Sequence, residues 1–277
     1  MLGLFDLSRW MTNGCCAPAS PDGQPPSLDQ TQAVEERYGA AAMAQESCLC
    51  TPVAFNPTYL EVIPDEVVAR DYGCGDPTRW LKSGDAVLDL GSGSGKNAFI
   101  CAQVVGETGA VIGVDRNREM LSLARQAAPV VAARIGWENV QFVEGSIEAL
   151  DAPQADGSPL IGDASVDVVL SNCVLNLVNP SRRLQLLRNI RRVLRPAGRV
   201  AISDIVSDQE VPLSMQQDPE LWSGCISGAW QEDDFLADFR DLGFEQVNYA
   251  DRSAKPWRVV GGIEFRAVTL VGHLPGG

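Results

Sequence analysis

Two sets of residues in this chain have types and spacings suited to chemistry. The first is the run Val87-Leu88-Asp89-Leu90-Gly91-Ser92-Gly93-Ser94-Gly95, followed later by Asp115. The second is a trio of cysteines, Cys74, Cys173 and Cys225, each in a segment that reads as a loop. In the first set an apolar run enters a glycine turn, and a second apolar run, Ala110 to Val114, ends in a carboxylate. Strand, turn, helix and strand in that order hold an adenosine-bearing cofactor. The glycines let the backbone approach the ligand. Asp115 stands about 20 residues on, where a carboxylate accepts hydrogen bonds from ribose hydroxyls. It could instead cap the helix that follows.

The glycines fall at Gly91, Gly93 and Gly95, a G-x-G-x-G pattern. A dinucleotide fold wants its third glycine one position later, where Lys96 stands. A side chain there crowds the pyrophosphate turn, so a nicotinamide dehydrogenase is the weakest reading. A cofactor without pyrophosphate has no such conflict. After the third expected strand, Glu148 could accept a hydrogen bond from the adenine amine, with Ile147 against the ring. Its alternative is an exposed carboxylate at a helix start.

Cys173 follows an expected strand, which places it at a carboxyl edge of the sheet, where open α/β folds bind ligands. Structural zinc takes two closely spaced cysteine pairs, and only Cys48 and Cys50 are comparably close. Cys101, among apolar helix neighbours, reads as core. A soft electrophile such as trivalent arsenic prefers thiolates. Three sulfurs hold it in a pyramid and leave a lone pair able to attack a sulfonium methyl. That attack needs alignment and a dry site more than proton transfer. The only histidine, His273, lies in a terminal segment of Gly and Pro, so no imidazole base is expected.

The elements that must position these groups alternate. Strands are expected at 86–90, 110–115, 140–144, 166–171, 199–205, 245–250 and 263–270. Helices are expected at 95–105, at 117–133 with an interruption at Pro129, at 181–195 and at 232–242. Strands alternating with helices make a parallel sheet covered on both faces. Upstream, short helices are expected at 1–11, 30–45 and 64–70, with a Pro-rich linker at 17–27. Three parts follow: a flexible arm at 1–27, a cofactor-binding domain at 28–205, and a substrate-binding segment at 206–277 that completes the sheet.

The net charge of −14 argues against nucleic acid and against an anionic membrane surface as partners. No apolar run reaches the roughly 18 residues of a membrane span. Met1 to Met11 lacks the basic head and continuous apolar core of a signal peptide. A cytoplasmic protein is expected, with its eight cysteines as thiols by default. Cys15 and Cys16 read as tail thiols, or as a metalloid-capturing pair in the arm.

The run 85–205 resembles the class I S-adenosylmethionine-dependent methyltransferases. The resemblance lies in Val87 to Gly95, in Gly113-Val114-Asp115, and in Leu194-Arg195-Pro196-Ala197-Gly198 leading into Val200–Ser203. It implies an α/β, doubly wound, Rossmann-like fold with a mostly parallel seven-stranded sheet whose last strand is antiparallel. An N-terminal helical extension and a small C-terminal arsenic-binding insertion flank it.

Three further segments are similar to the cysteine motifs of the arsenite methyltransferases over about residues 30–245. They are Tyr72-Gly73-Cys74-Gly75, Ser171-Asn172-Cys173-Val174-Leu175-Asn176-Leu177 and Gly224-Cys225-Ile226-Ser227-Gly228-Ala229. The resemblance implies methyl transfer from S-adenosylmethionine to As(III), delivered as a thiol conjugate and held by Cys74, Cys173 and Cys225. A fourth catalytic cysteine able to form a disulfide during turnover is Cys50, with Cys48 its competitor. The cofactor would be contacted by Tyr72, Asp89, Gly91, Ser92, Gly93, Asp115, Ile147, Glu148 and Asn172. Thioredoxin or glutathione would supply electrons to a monomeric enzyme with no resident metal.

The chain departs from the family at Asp71, where a tyrosine is common, and a short relative without the long C-terminal domain of many members is expected. Detoxification and organoarsenical biosynthesis both stay open as its role. Two other readings also stay open: a methyltransferase for another small molecule, and a non-catalytic thiol protein that binds metalloid.

Overall fold

The computed structural model describes residue 53, residues 55–218, residue 221 and residues 224–276. The segments expected at 1–11, 17–27 and 30–45 lie outside the described residues, as do Cys15, Cys16, Cys48 and Cys50.

Nine strands form one sheet among the described residues. They are β1 (Ala86–Leu90), β2 (Ala110–Asp115), β3 (Val140–Glu144), β4 (Val166–Asn172), β5 (Leu194–Ser207), β6 (Trp230–Gln231), β7 (Glu245–Arg252), β8 (Arg258–Val260) and β9 (Ile263–His273). The main order is β3-β2-β1-β4-β5-β9-β7, with β6 paired to β5 and β8 paired to β9. β1 to β5 run parallel, and β9 is antiparallel to both neighbours on the main path. The seven strands expected from the sequence make up that path. The two-residue β6 and three-residue β8 are too short to leave a periodic signal.

β1 and β4 are buried along nearly their whole length, as central parallel strands covered on both faces must be. The edge strands β3 and β7 are mostly solvated. Registers set the upper rim of the sheet: Leu90 pairs with Ser171 and Asn172 with Ser203. The carboxyl ends of β1 and β4 therefore open at one level beside Ser203 of β5, which runs on to Ser207, and this is the edge where such folds bind ligands.

Four long helices cover the sheet: α1 (Lys96–Val105), α2 (Arg118–Ile135), α3 (Arg183–Val193) and α4 (Glu232–Asp241). α1 and α2 pack one face, where Phe99 meets Phe142 edge to face at 5.5 Å. α3 and α4 pack the other, around Ile190, Phe235 and Phe239. Asn117 caps α2 by accepting from the Met120 amide at 2.9 Å, and Gly136 ends it in the left-handed region.

α2 is continuous through Pro129, so the expected interruption does not occur. Pro129 lies on the solvated side, where water satisfies the carbonyl it leaves unpaired. Leu121, Ala124, Ala127 and Val131 on the inner side hold the helix to the sheet. β5 begins earlier than expected, because Leu194 pairs with Val166 before the ladder shifts register and resumes at Arg199. His273 ends β9 opposite Arg199 rather than lying in a tail. It stands at the foot of the sheet, away from the rim.

Candidate active site

The turn after β1 is built from backbone. Gly91 and Ser92 amides donate to the Val114 carbonyl at 2.8 and 3.1 Å, stitching the turn to β2. Gly91, Gly93 and Gly95 all have positive φ, the conformation that glycine adopts without steric cost. A Cβ on Gly91 would collide with Val174, whereas Gly93 faces open space. That space is a crevice of about 540 Å³, the size of a small-molecule site. Tyr72, Gly91, Ser92, Gly93, Asp115, Ile147, Glu148 and Asn172 all line it.

Asp115 accepts from the Gly93 amide on one oxygen and from the Asn117 amide on the other, both at 2.8 Å. Asn117 caps α2, so Asp115 instead braces the glycine turn from the crevice wall. Burial pushes its carboxyl up, and the amides of Asn117 and Gly93 pull it back. Glu148 sits on a short turn and donates its own backbone amide to the Ser146 hydroxyl; it is half-buried beside a buried Ile147. It faces Arg182 at 3.7 Å across the crevice mouth.

Asp89 departs from expectation. It is buried in β1 beneath the turn and does not line the crevice. Its Oδ2 has no hydrogen-bond partner among the described residues. Burial, then the charges of Asp71 and Asp115, push its carboxyl well above the usual range. Lys96, read from sequence only as a misplaced bulky residue, is buried and ion-paired with Asp71.

The three cysteines converge. Cys74, Cys173 and Cys225 share one small apolar cluster with Ile205, Ile226 and Phe265. Each is about nine-tenths buried or more, at 6 % exposure. Cys74 and Cys173 form a disulfide, with Cα atoms 6.0 Å apart. This corrects the expectation of thiols: the loops bring the two sulfurs within bonding reach. The Cys225 thiol donates to the Cys173 carbonyl at 3.5 Å. Cys173 and Cys225 both have left-handed backbone, at φ 58° and 60°, a strain that surrounding structure must impose. Cys101 is fully buried in α1, as its apolar neighbours imply.

Asn172 ties the Cys74 loop to the end of β4. Its Oδ1 accepts from the Cys74 amide at 2.9 Å and the Gly75 amide at 3.3 Å, and its Nδ2 donates to the Gly75 carbonyl at 2.8 Å. A residue expected to touch cofactor thus also holds the sulfur loop in place. A Cβ on Gly73 would strike the Asn172 amide. Gly73→Ala is therefore expected to cost about 1–3 kcal/mol, the usual penalty for overpacking. Thermal unfolding checks this, and an unshifted midpoint would show that the loop yields freely.

This fold and crevice define a class I methyltransferase. A family model described as a methyltransferase domain matches residues 81–243. Arsenite methyltransferase of Halobacterium salinarum is 43% identical over 182 residues, covering 65% of this chain and 43% of that protein. Arsenite methyltransferase of Aquipseudomonas alcaligenes is 39% identical over 193 residues, covering 70% and 53%. The crystal structure of an arsenic(III) S-adenosylmethionine methyltransferase from Chlamydomonas reinhardtii superposes with a TM-score of 0.72. It is 32% identical and covers 82% of this chain and 76% of that one. The chain belongs to the arsenite methyltransferase family. It spans about half the length of the curated relatives it matches.

Proposed function

We propose that this protein transfers a methyl group from S-adenosylmethionine to trivalent arsenic held by Cys74, Cys173 and Cys225. The observation that carries the reading is the convergence of three distant cysteines in one buried cluster beside the glycine-turn crevice.

The crevice residues fit the methyl donor. Gly93 leaves room for close backbone approach. Ser92 Oγ and Asn97 Oδ1, both on the crevice wall, are buried with no partner among the described residues. Asp115 suits the ribose hydroxyls, and Glu148 with Ile147 suits the adenine. Bound there, S-adenosylmethionine supplies an electrophilic methyl group on a sulfonium. The Tyr72 ring, between the turn and Cys74, attracts that cation through its π face.

Cysteine chemistry sets the order of events. An external dithiol, or two monothiols, must first open the Cys74–Cys173 disulfide, delivering two electrons and two protons and leaving as a disulfide. Three thiols then displace oxygen or thiol ligands from As(III), each proton leaving with its displaced ligand. Burial of the cluster keeps water from the arsenic lone pair. We assign the reductant role to thioredoxin or glutathione, and the fourth-cysteine role to Cys50 or Cys48. Residues 28–205 form the donor-binding part and 206–277 the part completing the arsenic site, in a cytoplasmic monomer. Among the described residues no helix is long and apolar enough to cross a membrane.

The test is incubation with arsenite, a thiol and methyl-labelled S-adenosylmethionine. Label is expected on arsenic. Its absence across a range of thiols and concentrations, with donor binding intact, would overturn the proposal. Transfer to another acceptor that survives loss of all three cysteines would favour a different small-molecule substrate.

A further inference from the structure

Two fully buried polar side chains lie between the cysteine loops, and the chemistry above does not use them. Asn176 is 0 % exposed and Asp204 is 1 % exposed. The Asn176 amide nitrogen donates to Asp204 Oδ1 at 2.8 Å and to the Ile205 carbonyl at 2.6 Å, and lies 3.4 Å from the Cys225 carbonyl. Asp204 Oδ2 accepts from the Leu175 amide at 3.0 Å and the Asn176 amide at 3.4 Å, and its Oδ1 accepts from the Ile205 amide at 2.8 Å. Flipping the Asn176 amide would aim its oxygen at one carboxylate and two carbonyls, so the assigned orientation is the one chemistry permits.

We infer that Asn176 and Asp204 form a clasp that fixes Cys173 and Cys225 relative to one another, making both positioning residues for the arsenic site. Asp204 holds the turn that directly follows Cys173. Asn176, on that turn, reaches to the backbone of Cys225. Both cysteines have left-handed backbone, which persists only where neighbours over-determine it. Burying an amide and a carboxylate is costly unless they are paired; the Asn176 nitrogen and both Asp204 oxygens are, while Asn176 Oδ1 has no partner among the described residues, and paired groups of this kind select one arrangement of the core. A hydrophobic pair would fill the same space without tying the two loops.

The inference rests on the proposed arsenic chemistry, so its test has one arm with arsenite and one without. Asn176→Leu keeps the volume and removes the donor. Arsenite affinity of the reduced protein is expected to fall about tenfold or more, the scale seen when outer partners of a ligand set are lost. Affinity for S-adenosylmethionine should hold, which reports a folded crevice. Phe244→Leu, in the core far from the cysteine cluster, should lower the melting temperature and leave arsenite affinity unchanged.

In the second arm, Cys74→Ser removes the disulfide, and dibromobimane bridges Cys173 to Cys225, with the cross-link mapped by mass spectrometry. Adding Asn176→Leu should cut that cross-link several-fold. An unchanged cross-link overturns the clasp, whatever arsenite does. Parallel loss of arsenite and donor affinity in Asn176→Leu also overturns it, because that is general destabilisation. Failure of the unmodified protein to bind arsenite overturns the functional reading alone, and the cross-link still decides the clasp.

Discussion

Replacing Cys173 with serine is expected to reduce methyl transfer to arsenic by more than about a hundredfold, beyond the 10–100-fold lost when only an outer partner of a ligand set is changed. Serine is close in size and tolerates the same left-handed backbone, so the loop keeps its shape. The change is chemical. A hydroxyl is a hard ligand that stays protonated at neutral pH, and soft arsenic binds it poorly. The pocket drops from three sulfurs to two, leaving arsenic less firmly aligned with the donor methyl. Donor binding should be unaffected, because Asn172 still ties the Cys74 loop through its own side chain. The assay runs under reducing conditions, where the Cys74–Cys173 bond is open in the unmodified protein too. Loss of the disulfide therefore does not confuse the comparison. Labelled-methyl turnover and calorimetric titration of the donor separate the two functions. Turnover within a few-fold of the unmodified protein would remove Cys173 from the arsenic site.

The sequence carries this fold in particular residues. Val87 to Leu90 and Val166 to Leu170 are apolar runs broken only by Asp89 and Asp167, the pattern of a strand covered on both faces. The glycine turn was legible because backbone conformation, not a distant partner, dictates it: three positive φ values call for three glycines. Topology gathers Cys173 and Cys225, which lie on segments leaving the carboxyl ends of β4 and β5; Cys74 precedes β1 and is brought to the same rim by its loop's hydrogen bonds with Asn172. What stayed hidden depends on contacts between segments remote in the chain. Whether Cys74 and Cys173 can pair depends on how two loops 99 residues apart approach each other. The tie from Asn172 to the Cys74 loop was not visible behind its expected cofactor role, and the Asn176–Asp204 pair reads as ordinary polar residues until the rim is assembled. Asp89 looked like part of the cofactor motif because it adjoins the turn, yet its carboxylate is buried and is not among the residues lining the crevice. Pro129 looked disruptive because sequence alone does not show that it faces water.

Lys96 illustrates the same point and gives the second large effect. It occupies the place of a dinucleotide-binding glycine, which argued against one cofactor without saying what the lysine does. Its side chain is 6 % exposed, ion-paired with an Asp71 side chain that is 16 % exposed, and its ammonium lies 3.7 Å from the centre of the Phe55 ring. The pair links the first turn of α1 to the segment carrying Tyr72 and Cys74. Lys96→Met keeps the stem and removes the charge, leaving Asp71 near Asp89 without its cation. Breaking a buried pair from one side costs about 3–5 kcal/mol. The loss should appear as a lower urea midpoint with an unchanged slope. Lys96→Met combined with Asp71→Asn removes both charges, and most of the loss should return, because a neutral pair carries no stranded charge. Asp71→Asn also withdraws a negative neighbour from Asp89, so its carboxyl should move down toward the usual range. A double variant no more stable than Lys96→Met alone would mean that the lysine acts by packing on Phe55 and not by neutralising Asp71. The loop that bears Tyr72 and Cys74 would then owe nothing to the Lys96 charge, and its hydrogen bonds with Asn172 would remain.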